Sequence, residues 1–209
     1  MEILKVVVIG GGTFNHISCH LALAAPAFGA TARKLVELFK VNRRLEPQLV
    51  LTKMADHTSD LITNEDVERY IVDVLLPDED VRAIVMNAAI CDFSIDNPGE
   101  TRLSSAKDYP VVLKGIQGKI MAIIKEVRPD IIVVGFKTTH GAQAVEQVAK
   151  AFTAIHNSGV DIVLANDVGS RTNIMVNRGL NIKTGHRHYL LEQLVEDVID
   201  YVDIKAWIG

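Results

Sequence analysis

Four apolar runs in this 209-residue chain end on residues able to meet a ligand. VVVIG runs into Gly10, Gly11, Gly12 and Thr13. Glycines let main-chain N–H groups approach an anion closely, and a helix start behind them adds partial positive charge. RAIVM leads into NAAICDF (87–93), where Ala88 and Ala89 leave room against the backbone. Asp92 follows, a carboxylate able to hold a ribose, a base or a metal ion. VVGF ends at Phe136, Lys137, Thr138 and Thr139: an aromatic face for a base, then a cation and two hydroxyls for phosphate or ribose. VDIVLAND closes on Asn166 and Asp167. In an open parallel sheet, ligands bind beyond the carboxyl ends of the strands. The pattern therefore points to a nucleotide or phosphate site. Each piece also has a plain structural reading: a tight strand–helix turn, a turn aspartate, a core phenylalanine.

Several familiar sites are excluded. Asn15 stands where GxGxxG needs its third glycine, and no acid ends QLVLTK to hold a nicotinamide ribose. No GK[ST] follows the glycines. The YxxxK pair of short-chain dehydrogenases is missing, since Tyr70 is followed by Val74 and Tyr109 by Leu113. His16 and His20 in HISCH could share a helix face as metal ligands, but no third ligand stands at fixed spacing. No metal residue is assigned; a polar cluster facing the ligand pocket is the better reading. His140 could touch phosphate. Cys91 reads as a small core residue, the acids at 78–80 as a solvated loop, and His186 and His188 as a surface turn.

The elements that position these residues follow from hydrophobic pattern. Strands are expected at 3–10, 48–53, 82–89, 130–136 and 160–167, from Val/Ile-rich runs with glycine or polar ends. Helical spacing predicts helices over about 16–41, 64–76, 115–127, 141–157 and 189–204. Thr63 or Asn64 can cap the second. Alternation of strand and helix predicts α/β architecture: a Rossmann-like, three-layer parallel sheet with helices on both faces. Residues 91–115 break the rhythm and suggest a projecting β flap at about 93–114, on a single domain spanning 1–209. NIMVN and LNIKT make 173–190 β-like. A net charge of −4 gives no broad basic footprint for nucleic acid. No apolar stretch approaches the roughly 20 residues of a membrane span. Cys19 and Cys91, far apart and outside any CxxC, suit a reducing cytoplasm.

Taken in order, GGT … AAxxDF … RLSS … VGF … ANDV resembles the phosphopantothenoylcysteine synthetase family, nucleotide-dependent ligases of coenzyme A synthesis. The family pieces read GGT, AAVADW or AAVADF, KIKK, VGFAAET and ANDV, and the resemblance spans about 4–200. It implies a Rossmann-like homodimer whose flap helps close the partner's site. It implies CTP or ATP as co-substrate with Mg²⁺, a 4′-phosphopantothenate-like carboxylate, cysteine and an acyl-nucleotide intermediate. By the same resemblance Gly11, Gly12, Thr13, Gly29, Ala88, Ala89, Asp92, Phe136, Lys137 and Lys150 bind the nucleotide. Arg102, Asn166 and Asp167 are the catalytic candidates, Arg102 standing for the first lysine of KIKK. The family's SNxSSGKMG stretch corresponds here to LAAPAFGATARKL, which keeps Gly29 but neither the Asn nor the two Ser. The alternative on the same scaffold is a non-catalytic nucleotide-binding or regulatory dimer.

Overall fold

The computed structural model describes residues 4–208 except 43, 97 and 117–119, with the backbone alone at 205–208. The chain opens with β1 (Lys5–Gly10), the hairpin β2 (Phe14–Ser18) and β3 (Leu21–Ala24), then α1 (Ala30–Asn42) and β4 (Glu46–Leu51). Next come α2 (Asn64–Tyr70), a π-helical turn (Ile71–Leu75) and β5 (Val81–Met86). The short strands β6 (Phe93–Ser94) and β7 (Lys114–Gly115) bound the flap. After them lie α3 (Ile120–Val127), β8 (Ile132–Thr139), α4 (Ala144–Ser158) and β9 (Ile162–Asp167). The hairpin β10 (Asn173–Asn177) and β11 (Ile182–Thr184) leads into α5 (Arg187–Ile208).

Seven strands form one sheet in the order β11-β10-β9-β8-β5-β1-β4. Alternate residues of each central strand feed opposite faces, as a pleated strand requires. Val6, Val8, Ala83, Val85, Val134 and Leu164 pack with α1 and α5. Val7, Ile9, Ile84, Val133 and Val163 pack on the other side, beneath α2, α3 and α4. Both faces are covered, so these strands read as unbroken apolar runs. The three-layer α/β, Rossmann-like arrangement expected from the sequence is the one observed.

Several details differ from expectation. The sheet is mixed: β10 runs antiparallel to β9, and β11 antiparallel to β10. The helix expected over 16–41 is a helix only from Ala30; FNHIS and LALA form an antiparallel hairpin before it. Pro26 and the left-handed Gly29 (φ 74°) separate the two. His16 and His20 therefore lie on a hairpin, not on one helix face. Among the described flap residues, Phe93–Ser94 pair with Lys114–Gly115 and Gly99 bridges to Ser18 of β2; the TRLS piece carries no ladder. Finally, the acids at 78–80 are not simply solvated, because Asp78 and Asp80 grip Lys5 at 2.8 and 3.1 Å and pin the start of β1. The expected helix at 115–127 is α3 from Ile120 onward, residues 117–119 lying outside those described. Thr63 caps α2 as anticipated, in a reciprocal capping box with Asp66.

Beneath β8 the buried Lys125 ammonium meets Asp161 at 2.9 Å and also donates to the Ile131 carbonyl. The same Asp161 oxygen accepts the Val133 N–H. Removing one partner of such a buried pair strands the other charge, at a cost of about 3 kcal/mol or more. Asp161→Ala is accordingly expected to lower unfolding stability in urea by about that amount. A loss under about 1 kcal/mol would contradict the assignment.

Candidate functional site

At the three glycines, what comes close is the chain itself. A Cβ on Gly10 would lie 2.4 Å from the Ala32 Cβ of α1. On Gly11 (φ 101°) it would lie 2.2 Å from the Thr52 Oγ1, and on Gly12 1.9 Å from the Ala25 carbonyl. All three are buried, and Thr13 is fully so. The Thr13 N–H donates to the Ala89 carbonyl (3.1 Å) and the Ala89 N–H to the Gly11 carbonyl (2.9 Å). The Thr13 hydroxyl donates to the Asn64 Oδ1 (2.6 Å) and accepts the Cys91 N–H (2.9 Å), while the Asn64 side-chain amide donates to the Cys91 carbonyl (2.8 Å). This knot ties the segments after β1 and β5 to the start of α2. The expectation that a helix begins directly behind the glycines is corrected: α1 starts at Ala30 and is brought back over Gly10 by the hairpin.

The sheet opens one strand further along. β5 pairs with β8 only as far as Met86 opposite Gly135. Past Met86 the chain turns to β1: Asn87 donates to Ile9, and Ala89 bridges to Gly12. β8 meanwhile continues through Phe136, Lys137, Thr138 and Thr139, paired only with β9. A split between β5 and β8 results, open at the carboxyl edge. Ala88, Ala89 and the exposed Asp92 follow on one bank; half-buried Phe136 and exposed Lys137 and Thr138 stand on the other. Phe136 packs on the α1/α5 face. Asn166, next to last in β9, lies on that same face, its Oδ1 3.4 Å from the Thr138 hydroxyl.

Asp167 points the other way. It is 2% exposed and accepts the Ser170 N–H (2.7 Å), the Ala142 N–H (2.9 Å) and the Thr139 hydroxyl (2.8 Å). The Ser170 N–H foremost, with the Ala142 N–H and the Thr139 hydroxyl, holds its carboxyl well below the usual aspartate range. A carboxylate so engaged does not act as a base; it braces the ends of β8 and β9.

Residues 19–189 match the family described as DNA/pantothenate metabolism flavoprotein C-terminal domain. The chain belongs to this family. Among curated proteins it is 25% identical, over 210 residues, to the coenzyme A biosynthesis bifunctional protein CoaBC of Thermococcus kodakarensis. That match covers 97% of this chain but 52% of the relative, so the chain spans about half the relative's length. The DNA/pantothenate metabolism flavoprotein of Streptococcus pneumoniae shares the fold at a TM-score of 0.80 and 19% identity, covering 95% of this chain and 99% of that one. The C-terminal domain of a CoaBC bifunctional protein gives 0.68 at 13% identity over 99% and 97%. A Cab2 mutant in complex with phosphopantothenate-cysteine gives 0.67 at 13% over 97% and 87%.

Within this DNA/pantothenate metabolism flavoprotein C-terminal fold, the site residues named from sequence fall into three places. Ala88, Ala89, Asp92, Phe136, Lys137 and Asn166 flank the β5/β8 split. Gly11, Gly12, Thr13 and Gly29 are buried around the end of β1. Arg102 and Lys150 stand apart. Arg102 lines a groove of about 750 Å³ between the flap and the β2–β3 hairpin, with His20, Ser104, Lys107 and Tyr109. Lys150 is exposed on α4. Among the described residues no three His, Cys, Asp or Glu side chains converge as a metal-ligand set. No helix among them is long and apolar enough to cross a membrane. Two features went unread in the sequence. Asn64 is more than a helix start, because its amide copies a peptide's donor–acceptor pair toward Cys91. Arg187, at the start of α5, donates to the Thr31 hydroxyl at 3.0 Å on the α1/α5 side.

Two substitutions check this geometry. Gly12→Ala should destabilise the fold by about 2 kcal/mol or more, because the new methyl overlaps a main-chain carbonyl. Gly115→Ala, with nothing within 4 Å of its Cβ, should change stability by less than about 0.5 kcal/mol. Equal urea midpoints for the two variants would contradict the close approach. Asp167 supplies a pH signature. Its carboxyl titrates lower folded than unfolded, so its stabilisation is complete above about pH 4 and fades as pH falls further. Asp167→Asn should therefore melt below wild type near pH 7, and the gap should narrow as the pH drops to about 3. A gap that stays constant on acidification would contradict this.

Proposed function

We propose that this chain joins a 4′-phosphopantothenate-like carboxylate to cysteine, using CTP or ATP through an acyl-nucleotide. What supports the reading is the β5/β8 split: its banks carry AAxxDF and VGF, and its floor ends in ANDV, in the order of that ligase family. Family membership and the CoaBC relative support the same class of chemistry.

A free carboxylate acylates poorly because its oxygen is a bad leaving group. In the proposed reaction that oxygen attacks the α-phosphorus, the bond to the β-phosphate breaks, and pyrophosphate departs. The cysteine amine then attacks the acyl carbon. The nucleoside monophosphate leaves with the bridging oxygen, and the amine proton passes to solvent. Such transfers depend on positioning and on neutralising developing charge. Phe136 offers the base a ring face. Ala88 and Ala89 let it lie flat, and Asp92 and Thr138 meet the ribose. Lys137 adds positive charge toward the phosphates. Mg²⁺ enters as part of the nucleotide substrate, which suits a site with few carboxylates. The Asn166 amide orients the acyl oxygen, and Asp167 holds Asn166 in place by bracing the strand ends. Arg102, on the flap, reaches the phosphates of this chain's site or of a second copy's in the homodimer.

The test is an assay with CTP or ATP, Mg²⁺, 4′-phosphopantothenate and cysteine. Pyrophosphate release is expected with at least one nucleotide, and Asn166→Ala should reduce it by about tenfold or more while leaving the Tm within a few degrees. No pyrophosphate with either nucleotide would overturn the ligase reading. Tight nucleotide binding without turnover would favour a binding or regulatory dimer, the reading that the altered 23–35 stretch favours.

A further inference from the structure

Among the described residues, most partly buried cations have carboxylate partners. Lys5 meets Asp78 and Asp80, Lys125 meets Asp161, Arg128 meets Asp130, and Lys183 meets Asp197. Arg187 has none. Its half-buried guanidinium donates to the neutral Thr31 hydroxyl, and among the described residues no carboxylate lies within ion-pair distance. Burial pushes its pKa down, with no opposing charge to restore it. The position is unfavourable for a cation in another way too. Arg187 is the first residue of α5 and Thr31 the second of α1, so the guanidinium sits between two helix starts, where partial positive charge gathers.

Topology places this group at the carboxyl edge of the sheet, on its α1/α5 side. β11 runs antiparallel to β10, and β10 to β9, so β11 shares the direction of the parallel strands and ends at their carboxyl edge. α5 begins there and returns across β5, β8 and β10 beside α1. This is the face on which Phe136 packs and to which Asn166 and Thr138 turn. A half-buried fork of donors without an anion, beside a hydroxyl at the carboxyl edge of the sheet, matches a tetrahedral phosphate oxyanion. Guanidinium grips that group with paired N–H bonds, and a phosphate would offset the burial and both helix starts at once.

We propose that Arg187 and Thr31 together recognise a phosphate group of the substrate entering the β5/β8 split. This rests on the ligand site assigned above, but not on catalysis. The phosphate belongs either to the nucleotide's polyphosphate tail or to the terminal phosphate of the carboxylate substrate.

Calorimetry on the full chain distinguishes these sources, with inorganic pyrophosphate, CTP, ATP and 4′-phosphopantothenate titrated separately into wild type, Arg187→Met, Arg187→Lys and Thr31→Val. Arg187→Met should weaken one class of ligand at least tenfold, and the class affected names the source. Arg187→Lys should fall between it and wild type, and Thr31→Val should weaken the same ligand more mildly. Thermal melts supply the second readout. Removing an unpaired, desolvated charge should leave the Tm unchanged or raise it. Unaltered affinities in Arg187→Met, or a wild type that binds none of the four, would overturn the proposal. So would a Tm lowered by more than a few degrees in both Arg187→Met and Arg187→Lys, which would make the arginine structural. A wild type that binds phosphate through Arg187 yet forms no amide sinks only the ligase reading. An active ligase indifferent to Arg187→Met sinks only this one.

Discussion

The closeness of main-chain segments at Gly10–Gly12 governs the carboxyl edge of this molecule. α1, the Thr52 turn and the Ala25 strand return all stand where a Cβ would be. That contact lets Thr13 reach Ala89, Asn64 and Cys91. β1 and β5 are thereby joined beyond the last residues of their ladder. In a doubly wound sheet the usual crevice lies where strand order reverses, here around β1. Because that place is sewn shut, the opening moves to the next gap, between β5 and the unaccompanied end of β8. Small residues after β5 and an aromatic on β8 then face each other across it.

Much of the scaffold was legible because burial on both faces writes itself as unbroken Val/Ile runs. Each parallel strand was found within a few residues, and Thr63 announced the start of α2. The β2–β3 hairpin was not legible. Leu21, Leu23, Leu35, Leu38 and Phe39 fit a helical spacing loosely, and HISCH places its histidines four apart, a spacing that a helix also satisfies. Only the alternation in FNHIS and LALA, together with Pro26 and Gly29, spoke for two short strands. The antiparallel edge was half visible: NIMVN and LNIKT read as β, but their direction depends on the Arg178–Gly179 turn.

The candidate site was legible as residue types and less so as geometry. A glycine triplet after a strand carries the same letters whether a phosphate or Ala25 and Thr52 fills the space, because those partners lie 13 and 41 residues away. Ala88, Ala89, Asp92, Phe136, Lys137 and Asn166 come to one edge because strand ends converge by topology alone. Asp167 was found as a polar residue in an unusual place, but its three donors lie on neighbouring turns that only the fold brings together. Arg187 was invisible for a different reason. Its interest is the missing counter-charge, and a sequence does not show what fails to be nearby.

The most direct measurement is a crystal structure of the full chain with CTP or ATP and Mg²⁺. The account predicts the base against Phe136, between the Ala88–Asp92 segment and the end of β8, with phosphate oxygens toward Arg187 and the Thr13–Ala89 hydrogen bond intact. Phosphates seated instead on the amides of Gly11 and Gly12, with Thr13 drawn away from Ala89, would contradict it.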